Sequence, residues 1–318
     1  MECLLSVISA AKGYEHEVEI VVSDNASQDD TSMIAESVRP LYPDFNYVRR
    51  ATNIGGERNF RYVASLAKGQ FVWIFGDDDK MSENAIREVL ARINAGFNLI
   101  ICNYSMWTKD FSSPLKRAAL ATSPDETYYA PDALMKAIGP NMGYISSVII
   151  RKALFFELPT EKYEAFVEYG FPFMYAVYKG VHASCRAIYL AEPLVLNRTG
   201  NSGDGYDWYK YFVSGTSLIF EALKVEGYSS KAIHFAKHRV ITQYVLHDLL
   251  VRRRDQKSMK GLLRLTYQHY KSAWLFWFGV LPIFIIPGKL IWMAWRLKKL
   301  AIGKRAVSDD VSRGSAQL

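Results

Sequence analysis

Cysteine is scarce in this chain. The three present in 318 residues, Cys3, Cys102 and Cys185, are an odd count, widely spaced and without a C-x-x-C pair. A disulfide framework and a paired-cysteine zinc site are thereby excluded, and the three read as reduced cytosolic thiols. A clean membrane-spanning run is missing too. The most apolar stretch, residues 272–295, is interrupted by Pro282, Pro287, Gly288 and Lys289, whereas a transmembrane helix wants about 20 uninterrupted apolar residues. The opening residues do not read as a secretory signal, and no internal repeat is evident. Acids are outnumbered: 39 Lys and Arg against 32 Asp and Glu give a formal net charge of +7 and a pI near 9.1. What the chain has in quantity is hydrophobic and aromatic residues, 50% and 14%, enough to bury a full core and to exclude a disordered tail.

A basic chain can serve nucleic acid, an anionic membrane or phosphorylated substrates, and the placement of charge decides among them. Arg252, Arg253, Arg254, Lys257, Lys260 and Arg264 precede the apolar stretch, and Arg296, Lys298, Lys299, Lys304 and Arg305 follow it. That placement favours a membrane surface, and no nucleic-acid partner is expected. Charge on both flanks gives no orientation preference. Trp274, Trp277, Trp292 and Trp295 suit headgroup depth, so an interfacial or re-entrant hairpin is expected, with a core helix pair as the other reading.

Elsewhere the apolar pattern alternates between the periods of strand and helix. Residues 3–11 read as a helix and 17–23 as a strand; a helix with Ile34 and Val38 inward follows. Residues 46–50 read as a strand, followed by a helix with Phe60, Val63, Ala64 and Ala67 on one face. Residues 71–79, Phe-Val-Trp-Ile-Phe-Gly-Asp-Asp-Asp, read as a central strand buried on both faces and ending in three carboxylates. A helix with Ile86, Val89, Leu90 and Ile93 and a strand at 99–102 come next. After an irregular or hairpin insertion at 107–129, the pattern gives a helix at 131–138, a strand at 146–150 and an acidic loop at 157–170. A helix at 171–179, a strand at 187–191 and two helical pieces over 206–251, broken near Gly227, complete it. Strands alternating with helices of this length imply right-handed βαβ units: an α/β fold with a mainly parallel sheet flanked by helices.

Ligands of such sheets bind beyond the carboxyl ends of the strands, and three polar segments fall there. Asp77, Asp78 and Asp79 repel one another unless a cation or donors sit among them. Hard oxygen ligands suit Mg²⁺ or Mn²⁺ and, through it, a diphosphate; a solvated acidic turn before a helix near Ser82 is the alternative. Asp24 can accept a hydrogen bond from a nucleobase or form an Asx turn. Residues 53–59, Asn-Ile-Gly-Gly-Glu-Arg-Asn, open a helix, so free N–H groups and Arg58 could meet a phosphate, or the segment is simply a tight turn.

Together residues 19–31, Asn53-x-Gly55-x-x-Arg58-Asn59 and Phe75-Gly-Asp-Asp-Asp79 resemble, in order and spacing, the inverting family 2 glycosyltransferases of the GT-A fold, over roughly residues 1–198. The resemblance implies a Rossmann-like nucleotide-diphospho-sugar transferase domain. It implies that Asp24 contacts the base, that Asn25, Asn53 and Arg58 lie on the donor side, and that Asp77-x-Asp79 is the D-x-D motif. Asp77 and Asp78 would then face the donor, and Asp79 would bind the Mn²⁺ or Mg²⁺ that bridges the diphosphate. An inverting transfer also needs a general base beside the acceptor hydroxyl. In the family this is commonly the Asp of a Glu-Asp pair ahead of a glycine; with Gly180 as that glycine, the pair here is Glu168-Tyr169. Glu168 is the candidate base, with Glu164 and Glu161 on the same loop as rivals; His182 is the weaker candidate, since a lone His is more often structural. The departure at Tyr169 keeps a catalytically inactive GT-A scaffold, binding glycan or organising a membrane assembly, as the alternative.

Three regions are expected: a catalytic domain at 1–200, a helical extension at 201–271, and an apolar membrane-associating segment with a basic tail at 272–318. The resemblance implies a nucleotide-diphospho-sugar donor and a glycan or polyprenyl-linked acceptor. It also implies a place in bacterial cell-surface polysaccharide synthesis, of O-antigen or capsule type, at the cytoplasmic face of the inner membrane. Family members ordinarily open with an apolar strand ahead of the helix at 3–11. The sequence shows no such strand, and one is expected upstream of Met1.

Overall fold

The structure, a computed structural model, describes residues 1–120, 124–200 and 208–287. The expectations for Tyr206, Gly288, Lys289, Trp292, Trp295 and the basic residues from Arg296 to Arg305 lie outside the described residues. Two compact units divide the chain, Met1–Lys237 and His238–Leu318. In the first, α1 (Glu2–Ala11), β1 (Ile20–Asp24), α2 (Thr31–Val38), β2 (Phe45–Arg49), α3 (Gly56–Leu66) and β3 (Phe71–Trp73) follow the expected alternation. Then come β4 (Lys80–Met81), α4 (Ala85–Asn94), β5 (Leu99–Trp107), β6 (Pro114–Lys116), β7 (Glu126–Tyr128), α5 (Pro131–Ile138) and β8 (Val148–Arg151). The series ends with α6 (Lys152–Phe155), α7 (Thr160–Glu164), α8 (Pro172–Val181) and β9 (Ala187–Arg198). The limits of α5 follow from its ends: Pro131 sits in the first turn, where no N–H is needed, and Gly139 closes the helix at φ 55°.

The strands form two ladders. β1 and β2 pair in parallel, Ile20 opposite Phe45 through Asp24 opposite Arg49. The second runs β3-β8-β5-β9-β4, with β6 added to β5 and β7 to β9. β5 and β9 are parallel, but β8 is antiparallel to both β3 and β5, and β4 and β7 are antiparallel to β9. The sheet is therefore mixed in direction where a mainly parallel one was expected: among the described residues only the β5–β9 pairing of this ladder is parallel, and β8 comes back antiparallel beside β5 after residues 108–147. β5 is its centre, with Leu99, Ile100, Ile101 and Cys102 all fully buried, as expected of a strand covered on both faces.

The strand expected at 71–79 is shorter and lies at one end of its ladder. The chain leaves the ladder before Gly76, and the Asp79 N–H closes a turn onto the Gly76 carbonyl at 3.3 Å. β9 is longer than expected, 12 residues, because its register shifts near Pro193 instead of ending there. Proline offers the ladder no donor; the Asn103 amide bridges the irregularity, donating to the Ala191 carbonyl at 3.0 Å. Among the described residues β1 and β3 share no ladder. Hydrogen bonds from α3 and the segment after it meet β1 instead. Asn59 Nδ2 donates to the Ser23 carbonyl at 3.1 Å, and Glu19 Oε1 accepts the Lys68 and Gly69 N–H groups at 2.5 and 2.7 Å.

The acidic loop at 157–170 is partly helical, holding α7 and a 3₁₀ turn, Val167–Tyr169. After β9, helix runs from Trp208 to Val225 through a wide π-type stretch, Tyr211–Gly215, and resumes at Ser230 after the break at Gly227. The second unit carries helices Leu246–Arg254 and Leu262–Tyr270 and an apolar stretch spanning Phe276–Val280 and Leu281–Ile285. No helix among the described residues is long and apolar enough to cross a membrane.

Candidate active site

The three adjacent acids have three different environments. Asp77 is exposed, Asp78 partly so, and Asp79 is buried at 1% exposure. Both Asp79 oxygens are engaged: Oδ2 accepts the Tyr144 hydroxyl at 2.6 Å, and Oδ1 accepts Asn197 Nδ2 at 3.1 Å and the Arg198 N–H at 3.2 Å. Burial, and then the Asp79 charge, push the Tyr144 hydroxyl well above its ordinary range, so it stays a donor. At Gly76 a Cβ would lie 2.9 Å from Asp78 Oδ1 and 3.2 Å from Ser146 Oγ, so a side chain there would push the Asp78 carboxyl aside.

Behind the turn, Arg198 donates to the Asp78 carbonyl at 2.9 Å and to Glu2 at 2.7 Å, and Lys80 pairs with Glu2 at 2.7 Å. Hydrogen bonds from Lys80 and Arg198 hold the Glu2 carboxyl below its usual range. The Phe111 ring lies between the two cations, 4.2 Å from Lys80 Nζ and 4.4 Å from the Arg198 guanidinium. Sequence reasoning assigned none of Glu2, Tyr144, Asn197 or Arg198. Asn197 and Arg198 close β9, but the strand read from the sequence ends at 191, so the strand-end rule that finds the acids does not reach them; nothing local marks Tyr144.

On the other ladder Asp24 ends β1 and is 3% exposed. It caps its own turn, accepting the Ser27 N–H at 2.7 Å, and takes the Tyr47 hydroxyl at 2.7 Å with Arg49 Nε 3.5 Å away. Burial pushes the carboxyl up, but the Ser27 N–H, the Tyr47 hydroxyl and the Arg49 charge together hold it below the usual range, so it is ionised. Asn25 and Asn53 are brought together: Asn25 Nδ2 donates to Asn53 Oδ1 at 2.9 Å, and Asn25 Oδ1 accepts the Ile54 N–H at 3.0 Å. Asn53 Oδ1 also takes the Gly55 N–H at 2.8 Å, and Gly55, at φ 86°, starts α3 without a side-chain cap. A helix start of this kind offers its first-turn N–H groups to an anion. Arg58 Nε pairs with Glu164 at 2.7 Å across a half-exposed surface. Such a pair contributes only about 0–1 kcal/mol, so the guanidinium can change partners.

That pair also separates the candidate bases. Glu164 is held by Arg58, whereas Glu168 is exposed on the Val167–Tyr169 turn and makes no hydrogen bond or ion pair among the described residues. Glu161 is exposed in the first turn of α7. His182 packs edge-on against Tyr228, with ring centroids 4.9 Å apart, as a structural ring. Among the described residues no hydrogen bond or ion pair joins Glu168, Asp24 or the Asn25–Asn53 pair to Asp77 or Asp79.

The donor set is one test of a metal. No group of three or more His, Cys, Asp or Glu is placed to hold an ion among the described residues. Mg²⁺ in nucleotide sites takes one or two carboxylates and completes its shell with substrate phosphates and water. Asp77 and Asp78 fit that role; Asp79, buried with both oxygens engaged, does not fit it without rearrangement.

Residues 1–149 match the family model "Glycosyl transferase family 2". Abequosyltransferase RfbV of Salmonella typhimurium is 26% identical over 213 residues, 63% of this chain and 63% of that protein. Minor teichoic acid biosynthesis protein GgaA of Bacillus subtilis is 28% identical over 86 residues, 26% of this chain and 19% of that protein. The chain thus covers less than two thirds of the curated relatives it matches. Among solved structures, S. aureus TarS 1–349 in complex with UDP aligns over 83% of this chain and 72% of that one, at 16% identity and a TM-score of 0.57. The same protein with UDP-GlcNAc gives 0.55 over 86% and 74%, also at 16% identity. The fold is therefore GT-A, and the resemblance read from the three motifs stands.

Proposed function

With a family 2 glycosyltransferase region at residues 1–149 on a GT-A fold, we propose that the chain is an inverting sugar transferase of cell-surface polysaccharide synthesis. Its donor is a nucleotide-diphospho-sugar and its acceptor a glycan or polyprenyl-linked hydroxyl. The observation that carries this reading is the turn at 76–79, where a buried, fully bonded Asp79 holds Asp77 and Asp78 outward at a strand's carboxyl end. Asp77 and Asp78, in place of Asp79, are the residues that would hold Mn²⁺ or Mg²⁺, whose chemistry when bound is to offset charge on the departing diphosphate.

The other donor contacts are assigned to the Asn25–Asn53 pair for the loop that receives the base and to Arg58 with the α3 amides for phosphate; Asp24, 3% exposed with both oxygens engaged, holds that loop and would meet the base only after rearrangement. Glu168 takes the proton from the acceptor hydroxyl as that oxygen bonds to the anomeric carbon. The bond to the diphosphate oxygen breaks on the opposite face, and nucleoside diphosphate leaves. The ligands of the TarS structures, UDP and UDP-GlcNAc, and the names of RfbV and GgaA support this donor class and this setting.

The second unit is proposed to lie on the anionic cytoplasmic membrane face. Trp274, Trp277, Phe278 and Ile285 are 55%, 46%, 78% and 69% exposed, and Lys257, Lys260, Arg264 and Lys271 are exposed in the same unit. Aromatic residues with neighbouring cations suit the headgroup boundary.

The test is donor hydrolysis and transfer across a nucleotide-sugar panel with Mn²⁺. Glu168→Gln should lower transfer by roughly 10²-fold or more while donor affinity holds, as for loss of a general base. Absence of turnover with every donor would leave the inactive scaffold instead.

A further inference from the structure

We infer that Glu57 is a positioning residue, whose buried carboxyl ties the first turn of α3, on the donor side, to the turn that carries Glu168. The inference rests on the sugar-transfer reading. Glu57 Oε1 accepts the Phe171 N–H at 3.2 Å, and the Glu57 carbonyl accepts the Tyr163 hydroxyl at 2.8 Å. Oε2 is sealed from solvent without a partner.

The segment that Glu57 holds is strained and wedged. Phe171 is left-handed at φ 62°, an arrangement that persists only when its surroundings enforce it. A Cβ on Gly170 would lie 2.6 Å from the Tyr211 ring, and one on Gly143 would lie 2.9 Å from the Phe171 ring. A Cβ on Gly215 would come 2.0 Å from the Tyr169 carbonyl oxygen. Glu57 thus supplies a polar link among close apolar and backbone contacts, and it does so at Phe171, three residues along the chain from Glu168.

Among the described residues no cation pairs with the Glu57 carboxyl. On its own helix Arg58 pairs with Glu164 and Arg61 donates to the Leu158 carbonyl at 2.8 Å while stacking on Phe156 and Tyr163. From α7 the Tyr163 hydroxyl meets the Glu57 carbonyl, and Tyr211 lies behind Gly170; Glu164 and Glu168 are the other charged groups of α7 and the following turn. Burial pushes the Glu57 carboxyl up to about 7, against the pull of the Phe171 N–H. A neutral Glu57 also keeps negative charge away from the α3 amides offered to a phosphate.

The sign follows from linkage. The closed turn holds the Glu57 proton more tightly than an open, hydrated turn with an ordinary value of 4.5. Closure is therefore fully favoured below that value and is progressively lost as pH rises to about 7. Over the whole window the closed-to-open ratio falls by up to roughly 300-fold.

The experiment is hydrogen exchange of residues 164–173 in the full chain, corrected for intrinsic rates, at pH about 5.5 and about 8.5, bracketing the upper part of that window. Wild type should lose about 10-fold or more of its protection at the higher pH, Glu57→Gln should hold the same protection at both, and Glu57→Ala should be unprotected at both. In transfer assays Glu57→Gln should flatten the alkaline limb in kcat with donor KM little changed. The inference is overturned if the Gln variant loses protection with pH as wild type does, or if the Ala variant keeps wild-type protection. Should Glu57→Ala not fold, the comparison of wild type with Gln decides alone. Exchange needs no substrate, so a chain without transferase activity would overturn the functional reading and leave this link standing.

Discussion

Replacing Asp79 by alanine separates an acid that builds the site from one that binds a metal. At 1% exposure the side chain receives three donors, the Tyr144 hydroxyl, Asn197 Nδ2 and the Arg198 N–H. Asp79→Ala leaves all three without their acceptor, and each buried group left unsatisfied costs about 1–3 kcal/mol. Relaxation and water entry reduce the sum, so a loss near its low end, about 3 kcal/mol, is expected, to be set against a typical domain stability of roughly 5–15 kcal/mol. For the unit Met1–Lys237 that corresponds to a melting temperature lowered by about 6 °C. Asp79→Asn should fall part of the way, since its carbonyl still accepts while its NH₂ faces a donor. The control is Asp77→Asn, which is exposed and should stay within about 0.5 kcal/mol of wild type while losing Mn²⁺-dependent donor binding. Urea unfolding at fixed pH, with donor titration monitored by thermal shift with and without Mn²⁺, reads both quantities. If Asp79→Ala unfolds with wild type and loses only cation-dependent binding, then the turn rearranges to present Asp79 and the structural role is refuted.

Gly215→Ala should lower both the melting temperature and the transfer rate, because its Cβ would sit 2.0 Å from the Tyr169 carbonyl oxygen, backbone that cannot step aside cheaply; wild-type values for both would show that the 169–171 turn is not held there. The triple variant Trp274→Ala, Trp277→Ala, Phe278→Ala should abolish co-flotation of the full chain with vesicles containing phosphatidylglycerol, removing aromatic side chains that are 46–78% exposed. Co-flotation equal to wild type would place the membrane contact elsewhere.

The motifs were legible because each lies in a few consecutive residues at a strand's end, where strand–turn–helix chemistry is local. The two amides that join the loops, Asn25 and Asn53, were in the pattern for that reason. The division of labour within Asp77–Asp78–Asp79 was not legible. Three identical side chains in a row say nothing about which points inward, and what turns Asp79 inward is supplied by Tyr144, Asn197 and Arg198, 65 to 119 residues further along. The direction of the sheet was lost for a similar reason. Alternating strand and helix periods are the signature of parallel crossovers, but a strand's own residues do not give its direction: β8, read as a strand, runs antiparallel to β3 and β5, and β4, β6 and β7, two or three residues long, are too short to register as strands. The same argument bears on Glu168. The pair position ahead of Gly180 singled out Glu168 from its rivals on the loop, but the sequence could not show that Arg58, more than a hundred residues before Glu164, engages that rival in the free chain. A motif therefore names the chemistry available at a strand end, and distant partners decide which of its side chains remain free to perform it.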